Sequence, residues 1–512
     1  MNKRTASISI FLAALSRSST TTAPVVVLGF RSISTTSSTT ARNFSTTRST
    51  TTNNNLGGSY FVGNNNIPRG GGLGSSLSSS STTSLNMSTK PTVEKMTREE
   101  KALQITGLPI GPYPVGVTTV QIDGGEDGRK DRGLQTEIWY PAVADDSLDN
   151  NKPVTKFSDY LGLDTALDPT EALKIANSPN VIGGYRDGLT VEELDSVEES
   201  TWLTNAIRDA TIREIIDNNG HKWPLIIFSH GSGAYRISYS FWTEFLASHG
   251  YIVAACDHPG SARYTIVNGK VITPGGKRSD RLQMEIDRPL DIIQIINGIE
   301  SSSKWNSNSN GNDNDEKLFK NCIDTNNVAV TGMSFGGYTT AEVIDLCDKR
   351  IKAGIMMCSS MSMSGTKKLH TTERNNKSTP VMIMIGTEDT VLGDKHNNSN
   401  RQYVNNHKDG DSYLLEIKRG GHVSFTSCEM YNTEYGNGIA TSATKCKSLS
   451  KPGEEYNPLD IVKQHEIINN YGLAFLNKYL KGDNGNDDGS SEYLQTNHYS
   501  DDEVVYQANI KQ

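Results

Sequence analysis

The chain has 512 residues, of which 35% are hydrophobic, 7% aromatic and 21% charged, and its formal net charge is −8. This apolar content is enough for one sizeable core, so it excludes a chain that is disordered throughout. Because 58 residues are acidic and 50 basic, we expect no nucleic-acid partner.

Residues 1–93 differ in composition from the rest of the chain. They include no acidic residue, eight basic residues and long runs of Ser, Thr, Asn and Gly. We expect this segment to be disordered, and its composition is typical of a mitochondrial or plastid transit peptide. Two alternatives stay open: a secretory signal, with Lys3 and Arg4 before an apolar stretch at 8–15, and a plain disordered tail. The remaining residues carry 42 basic and 58 acidic side chains, a net charge of −16.

After this segment, short runs rich in β-branched residues alternate with amphipathic helical stretches. The alternation predicts an α/β fold with a mostly parallel sheet and helices on both faces, in one large domain over residues 94–482. Eight strands are predicted, at 115–122, 134–142, 224–230, 251–257, 327–333, 351–358, 380–386 and 412–418.

A polar and helical insert at 156–221 separates the second and third predicted strands, and it is too long for an ordinary loop. It is either a cap over a site or a peripheral decoration. The last predicted helix starts at Pro458, with Asn457 as its cap, and ends at the sequence KGDNG. Residues 483–512 are predicted to be a polar C-terminal tail. No run approaches the roughly 18 to 20 apolar residues that span a bilayer, so we expect a soluble protein.

The six cysteines lack the CxxC or Cys/His spacing of a zinc site or a disulfide framework. We therefore expect no metal and no cofactor. Four of the cysteines lie in or beside apolar segments, where buried free thiols are ordinary. Cys428 and Cys446 flank one polar loop and are left as a candidate pair, since a disulfide requires an oxidising compartment.

Residues 332–336, with the sequence Gly-Met-Ser-Phe-Gly, follow an apolar strand directly and lead into a helical stretch. This is the G-x-S-x-G pattern of a nucleophile elbow, in which two glycines allow a tight turn around the serine. The following helix points its free N–H groups at the site and favours negative charge there. Ser334 is therefore the candidate nucleophile.

A serine hydroxyl needs an adjacent base that is itself oriented by a carboxylate, and after such an elbow the chain order is serine, acid, histidine. The strand at 380–386 ends in a loop with Asp389 as the preferred acid and Glu388 as the alternative. His422 follows the next strand in a Gly-Gly loop and is the candidate base. The elbow and this order predict an α/β-hydrolase fold, in which eight strands are usual, and a serine ester hydrolase.

Such a reaction also needs two backbone N–H donors that hold the negative charge of the intermediate, the oxyanion hole. Phe335 follows the nucleophile and should supply one donor. The other should come from the loop after the third predicted strand, FSHGSGAYR, where Gly231 and Gly233 allow a close approach. Ser232 is the expected donor in this loop.

The sequence FSHGSGAYRISYSFWTEFLASHGYIVAACDHPGSA at 228–262, with IWYPA at 138–142 and GMSFGG at 332–337, resembles the platelet-activating-factor acetylhydrolases and their dienelactone-hydrolase-like relatives. The resemblance covers roughly residues 115–425. It implies metal-independent hydrolysis of short or oxidised acyl chains from phospholipids, with Ser232 and Phe335 as oxyanion donors. A lipid or small-molecule ester substrate and transient contact with a membrane surface are the partners we expect.

The chain departs from the acetylhydrolases at the acid. Those enzymes place it after the sixth strand, where this chain has Cys358 and Ser359. Asp389, after the seventh strand, agrees instead with dienelactone hydrolases and cutinase-like enzymes. The alternatives left open are a general carboxylesterase, a cutinase or polyester-type enzyme, a chlorophyllase, a dienelactone hydrolase and a non-catalytic binding protein of the same fold. Substrate-binding residues and oligomeric state are not predicted.

Overall fold

The computed structural model describes residues 97–124, 129, 131–143, 155–178, 181, 190–196, 204–215, 220–274, 278–301, 306–307, 322–359, 378–407, 409–427, 446–482 and 489–511. The chain divides into two units, Met1–Thr89 and Lys90–Gln512, and every described residue belongs to the second. The predicted transit segment at 1–93, and Cys428 of the candidate disulfide, lie outside the described residues.

The described residues contain fifteen strands. In chain order they are β1 Val115–Ile122, β2 Leu134–Pro141, β3 Ala206–Arg208, β4 Trp223–Ser229, β5 Ile252–Cys256, β6 Thr265–Val267, β7 Lys270–Ile272, β8 Asn306–Ser307, β9 Ile323–Met333, β10 Ile351–Met357, β11 Val381–Gly386, β12 Ser412–Ile417, β13 Cys446–Lys447, β14 Glu455–Tyr456 and β15 Val504–Asn509.

Eleven of these strands form one sheet, in the order β15-β12-β11-β10-β9-β4-β5-β2-β1-β3, with β8 paired to β1. The six central strands from β12 to β5 run parallel. The pairs β15–β12, β5–β2 and β2–β1 are antiparallel, and β3 pairs parallel to β1. All eight predicted strands are present. The sheet exceeds the predicted eight strands because β3, β8 and β15 are added beside them. The six parallel strands present their carboxyl ends at one edge of the sheet, which is where ligands bind in open α/β sheets.

Nine α-helices lie within the described residues: α1 Arg98–Thr106, α2 Pro169–Ala176, α3 Val191–Ser196, α4 Ser240–Ser248, α5 Arg278–Ser301, α6 Phe335–Asp345, α7 Asp394–Asn406, α8 Ile461–Leu476 and α9 Ser490–Tyr493. A π-helical turn, Asn477–Lys481, continues α8. Among these helices, none combines the length and apolarity that crossing a membrane requires.

Helices cover both faces of the sheet. Trp242 of α4 and Phe475 of α8 pack in one buried cluster, and Ile292 and Ile295 of α5 pack in another. All seven residues of β4 are buried, as expected of a central strand whose two faces are both covered. This burial on both faces is why the central strands appear in the sequence as continuous apolar runs.

Two predictions near the C-terminus are wrong. Residues 489–511, within the predicted polar tail, form α9 and β15, and β15 pairs with β12 along its whole length. In β15 only Val504 is buried, so the sequence of this edge strand lacks the alternating apolar pattern that predicts a strand. The last long helix begins at Ile461 rather than Pro458, because the side chain of Asp460 caps it by accepting from the Lys463 N–H.

The insert at 156–221 is partly helical, as predicted, and also contributes β3 to the edge of the sheet beside β1. Two contacts join it to the loop that follows β4. The guanidinium of Arg236 donates to the Tyr160 carbonyl, and the hydroxyl of Tyr235 donates to the Val181 carbonyl over 2.7 Å. The described part of the insert therefore braces this loop.

Candidate active site

Ser334 lies between Met333, the last residue of β9, and Phe335, the first residue of α6. Its backbone has φ 57° and ψ −114°, a conformation that costs free energy in a residue with a side chain. The Ser334 N–H donates to the Met357 carbonyl at the end of β10 over 2.8 Å. The strand, the strained turn and the helix form the elbow that the sequence predicted.

Close packing around the elbow explains its two glycines. A β-carbon on Gly336 would lie 1.8 Å from the carbonyl oxygen of Ser229, and one on Gly332 would lie 2.4 Å from the carbonyl oxygen of Gly336. Both separations are far below a van der Waals contact, so a side chain here would push β9 and α6 away from the end of β4. The glycines thus let three elements meet at Ser334.

Asp389 and His422 come from the loops after β11 and β12 and contact each other. The Nδ1 atom of His422 lies 2.7 Å from Oδ2 of Asp389, and the other carboxylate oxygen accepts from the N–H groups of Val391 and Leu392 over 3.0 Å and 2.9 Å. Asp389 is buried and His422 is half-buried. The carboxylate therefore holds one ring nitrogen and leaves Nε2 of His422 for chemistry.

The electrostatics of this pair favour an ionised Asp389. Burial alone would raise the pKa of the Asp389 carboxyl. The charge and hydrogen bond of His422, with a hydrogen bond from the Leu392 amide and the nearby Cys358 thiol, outweigh burial and hold that pKa below its usual range. An ionised carboxylate is the form that orients and stabilises an imidazolium.

Glu388, the alternative acid, is occupied elsewhere. Its carboxylate accepts from the hydroxyls of Ser448 and Ser450 and from the Leu449 N–H. Of the two adjacent carboxylates, Asp389 is thus the one that contacts His422, while Glu388 fastens the segment around Ser448 to the loop after β11.

Cys358 follows β10, at the position where the acetylhydrolases carry their acid. Its thiol lies within 4.8 Å of the Asp389 carboxylate, and its backbone has φ 41°. Burial and, after it, the nearby carboxylate raise the pKa of the Cys358 thiol well above its usual value, so the thiol is protonated. Cys358, Asp389 and His422 have ligand-type atoms within 4.8 Å of one another, and among the described residues these could hold a metal ion only by giving up their hydrogen bonds.

The loop after β4 lies close to the elbow. A β-carbon on Gly231 would lie 3.4 Å from Cβ of Ser334, and the Gly231 N–H is taken by the Tyr239 hydroxyl at 2.8 Å. The next N–H along the chain, that of exposed Ser232, donates to no described residue. Phe335 opens α6, where an N–H has no acceptor within its own helix. Ser232 and Phe335 are therefore available as the two donors.

A buried ion network anchors the same loop. Arg236 donates to Glu137 of β2 over 3.1 Å and binds Asp257, which follows β5. Arg236 also donates its backbone N–H to the Asp257 carboxylate over 2.8 Å. Because all three side chains are buried, losing one partner would leave an uncompensated charge, so the network resists movement of the loop.

Sequence interpretation missed the contacts that hold the site in place. The sequence did not indicate that Tyr239 binds the Gly231 N–H or that Cys358 lies close to Asp389. It also did not indicate that His465 is buried: this residue is 2% exposed and stacks on Phe241 with ring centroids 3.8 Å apart. The one available signal was the unusual density of polar residues in 228–239, directly after an apolar strand.

A doubly covered, mostly parallel sheet, with a serine elbow after β9 and an Asp–His pair after β11 and β12, defines an α/β-hydrolase. A solved structure agrees: a ferulic acid esterase from Streptomyces cinnamoneus superposes with a TM-score of 0.53 over 78% of this chain and 98% of that chain, at 19% identity. This identity shows the fold alone. The fold predicted from the sequence is confirmed.

Within that class, the chain belongs to the family of platelet-activating factor acetylhydrolase, isoform II, whose model matches residues 100–274 and 276–498. Similar relatives are the platelet-activating factor acetylhydrolase of Bos taurus, 26% identical over 272 residues (48% of this chain, 53% of that one), and that of Gallus gallus, 28% identical over 292 residues (51% and 63%). The chain thus matches these curated relatives over little more than half their length. The predicted family is confirmed.

Proposed function

We propose that this protein is a serine hydrolase of carboxylic esters, with Ser334 as nucleophile, His422 as general base and acid, and Asp389 as the orienting carboxylate. The observation that carries the proposal is the 2.7 Å contact of Asp389 with His422 beside a strained serine elbow. Two contacts also bring the elbow close to this pair. The Ser334 N–H donates to the Met357 carbonyl, and the thiol of Cys358, the next residue, lies within 4.8 Å of Asp389.

In this mechanism, Nε2 of His422 takes the hydroxyl proton of Ser334 while Oγ attacks the carbonyl carbon of the ester. The electron pair of the carbonyl moves onto its oxygen, where the N–H groups of Ser232 and Phe335 stabilise the negative charge. Collapse of this intermediate breaks the ester C–O bond, and His422 gives its proton to the departing alcohol. Asp389 stabilises the imidazolium throughout.

The second half of the reaction repeats these steps with water. His422 takes a proton from a water molecule, whose oxygen attacks the acyl carbon on Ser334. The same two N–H groups hold the new oxyanion. Its collapse breaks the bond to Oγ, the proton returns to Ser334, and the carboxylic acid leaves.

For the substrate we propose phospholipids with a short or oxidised acyl chain. The names of the family and of the relatives support this choice. Exposed apolar side chains also lie near the site: Leu282 on α5 and Val391 beside Asp389 are 42% and 36% exposed, and α5 reaches the elbow where Arg281 lies 5.5 Å from the centre of the Phe335 ring. Transient contact with a lipid surface through these side chains is part of the proposal.

A second candidate is an esterase for simple carboxylic esters. It is favoured by the position of the acid, because the structure pairs His422 with Asp389 after β11 and not with a residue after β10. This pairing fits hydrolysis of a simple ester as well as that of a phospholipid. It therefore lessens the support for a phospholipid as the specific substrate.

The experiment that tests the proposal compares a phosphatidylcholine carrying a short acyl chain at its second position with p-nitrophenyl butyrate, using the full chain. Ser334→Ala should abolish both activities, and the control Ser399→Ala, which removes a hydroxyl bonded to the Lys395 carbonyl on α7, should leave both intact. A wild-type protein that cleaves only the simple ester would select the second candidate. Hydrolysis by neither would leave a non-catalytic protein of this fold.

A further inference from the structure

Arg288 of α5 is buried completely directly behind the elbow. Its guanidinium donates to the His230 carbonyl, to the Ser229 hydroxyl over 3.0 Å and to the Ser261 hydroxyl over 2.9 Å. It also lies over the ring of Phe335, with 4.4 Å between Cζ and the ring centre. The partners are one carbonyl, two hydroxyls and an aromatic face.

This cation lacks the usual compensation for burial. No carboxylate of the described residues lies within ion-pair distance of Arg288, whereas the equally buried Arg236 binds both Glu137 and Asp257. Burial lowers the pKa of Arg288 to about 9, which leaves the group charged at neutral pH. An unpaired buried charge is costly, so its position calls for a role other than ion pairing.

The directions of the hydrogen bonds around Arg288 are fixed. The ionised Asp291 carboxylate can only accept, so Nδ1 of His258 carries a proton and donates to it over 2.8 Å. In a neutral imidazole Nε2 then accepts, so the Ser229 hydroxyl, which itself accepts from Arg288, donates to Nε2 of His258 over 2.9 Å. Burial and, next, the charge of Arg288 lower the pKa of His258 to about 3, which agrees with a neutral imidazole.

This Ser229–His258–Asp291 row repeats the residue types of a catalytic triad, yet all three side chains are 0% exposed. An ester cannot reach a fully buried serine, and the Ser229 hydroxyl also accepts from Arg288 while it donates to His258. The row therefore holds Arg288 in place and does no ester chemistry.

Hydrogen bonds hold the oxyanion loop at the peptide groups on either side of Gly231. Arg288 holds the His230 carbonyl. The His258 N–H donates to Nε2 of His230 over 3.1 Å, so Nδ1 of His230 carries a proton and donates to the Gly231 carbonyl over 2.6 Å. The Gly231 N–H is bound by Tyr239. The next N–H, that of Ser232, has no partner among the described residues.

We propose that Arg288 is a positioning residue of the oxyanion hole, which joins the loop that carries the Ser232 donor to the helix start that carries the Phe335 donor and places positive charge behind both. This inference rests on the proposed ester hydrolysis at Ser334. Arg288 stabilises the oxyanion only once the carbonyl oxygen becomes negative. Substituting Arg288 should therefore change kcat more than KM.

The test measures kcat and KM of Arg288→Met and Arg288→Lys in the full chain, normalised to the sites that a fluorophosphonate labels at Ser334. For Arg288→Met we expect kcat per labelled site to fall on the order of 100-fold, with KM changed less than about threefold. Inhibition by a trifluoromethyl ketone, which forms an oxyanion on Ser334, should weaken by the factor lost in kcat/KM. Arg288→Lys keeps the positive charge but loses the planar set of donors of the guanidinium. We expect its kcat per labelled site to fall about tenfold.

The control Arg350→Met removes an arginine bound to Asp348 and Glu300, away from the elbow, and should keep kcat per site unchanged even where stability falls. A merely structural Arg288 would reduce the number of labelled sites and leave kcat per site and the ketone affinity as in wild type; that result would overturn the proposal. If Arg288→Met does not fold, Arg288→Lys decides by the same readout. Absence of labelling in wild-type protein would instead refute the proposed function.

Discussion

The Asp389 carboxylate lies 2.7 Å from Nδ1 of His422, while the adjacent carboxylate of Glu388 is bound by the segment around Ser448. The two neighbouring acidic residues thus have separate roles: Asp389 orients the candidate base, and Glu388 binds the segment around Ser448. This division of roles can be tested with single substitutions.

Asp389→Asn should lower kcat on a simple ester by about 10³- to 10⁴-fold, because an amide can neither fix the required tautomer of His422 nor stabilise its charged form. Glu388→Gln should leave kcat within about threefold, since its hydrogen bonds stabilise the segment at 448–450 and not His422. Steady-state kinetics on both variants, with thermal unfolding as a check of folding, provide the measurement. A large loss of kcat in Glu388→Gln alone would reverse the assignment.

We expect that a carboxylate introduced at position 358 can replace that of Asp389. The Cys358 thiol lies within 4.8 Å of both Asp389 and His422, and aspartate tolerates a positive φ better than most residues. We expect the kcat of the double variant Asp389→Ser with Cys358→Asp to be at least about tenfold higher than that of Asp389→Ser alone, because a carboxylate then returns beside His422.

The matched control for this rescue is Asp389→Ser with Ser359→Asp. A β-carbon on Gly337 would lie 2.9 Å from Cβ of Ser359, which places this side chain against α6 and not beside His422. The control should recover nothing. Equal activity of both double variants would show that the rescue does not depend on the position of Cys358.

Stability should depend on the ionisation of Glu244 in α4. Burial raises the pKa of Glu244 to about 7, against the effect of hydrogen bonds from Thr204 and Asn205. The folded state then binds the proton more tightly than the unfolded chain, so this contribution to stability is complete below about pH 4 and is lost as the pH rises through about 7, for a total of about 3 kcal/mol.

Urea unfolding of wild type and Glu244→Gln at pH 5 and pH 8 measures this dependence. The free energy of unfolding of the variant should change less between the two values, because a glutamine does not titrate. Parallel pH profiles of the two proteins would show that Glu244 ionises normally in the folded state.

Gly336→Ala should destabilise the fold by about 2–4 kcal/mol and abolish activity, because the added carbon would meet the Ser229 carbonyl oxygen and push α6 from β4. Gly482→Ala is the matched control: its φ is −64° and the nearest atom to an added carbon is 3.8 Å away. Chemical denaturation should show the control equal to wild type or slightly more stable. A Gly336→Ala protein of wild-type stability would contradict the close packing at the elbow.

The sequence predicted the central part of the fold well because those strands are buried on both faces and appear as unbroken apolar runs. Val504–Asn509 was missed because an edge strand needs only its backbone to pair, and one buried residue makes no pattern. Asp389 and Glu388 could not be separated from the sequence, since the group that binds Glu388 lies sixty residues away. The Arg288 contacts likewise depend on residues that only the folded chain brings together.

If an acyl group passes through Ser334, rapid-quench mass spectrometry of the full chain with p-nitrophenyl acetate can capture it. We expect an acetyl adduct on Oγ of Ser334 that forms within one turnover and decays at the rate of hydrolysis. An adduct on another residue, or hydrolysis that persists at the wild-type rate in Ser334→Ala, would contradict an acyl-enzyme at Ser334.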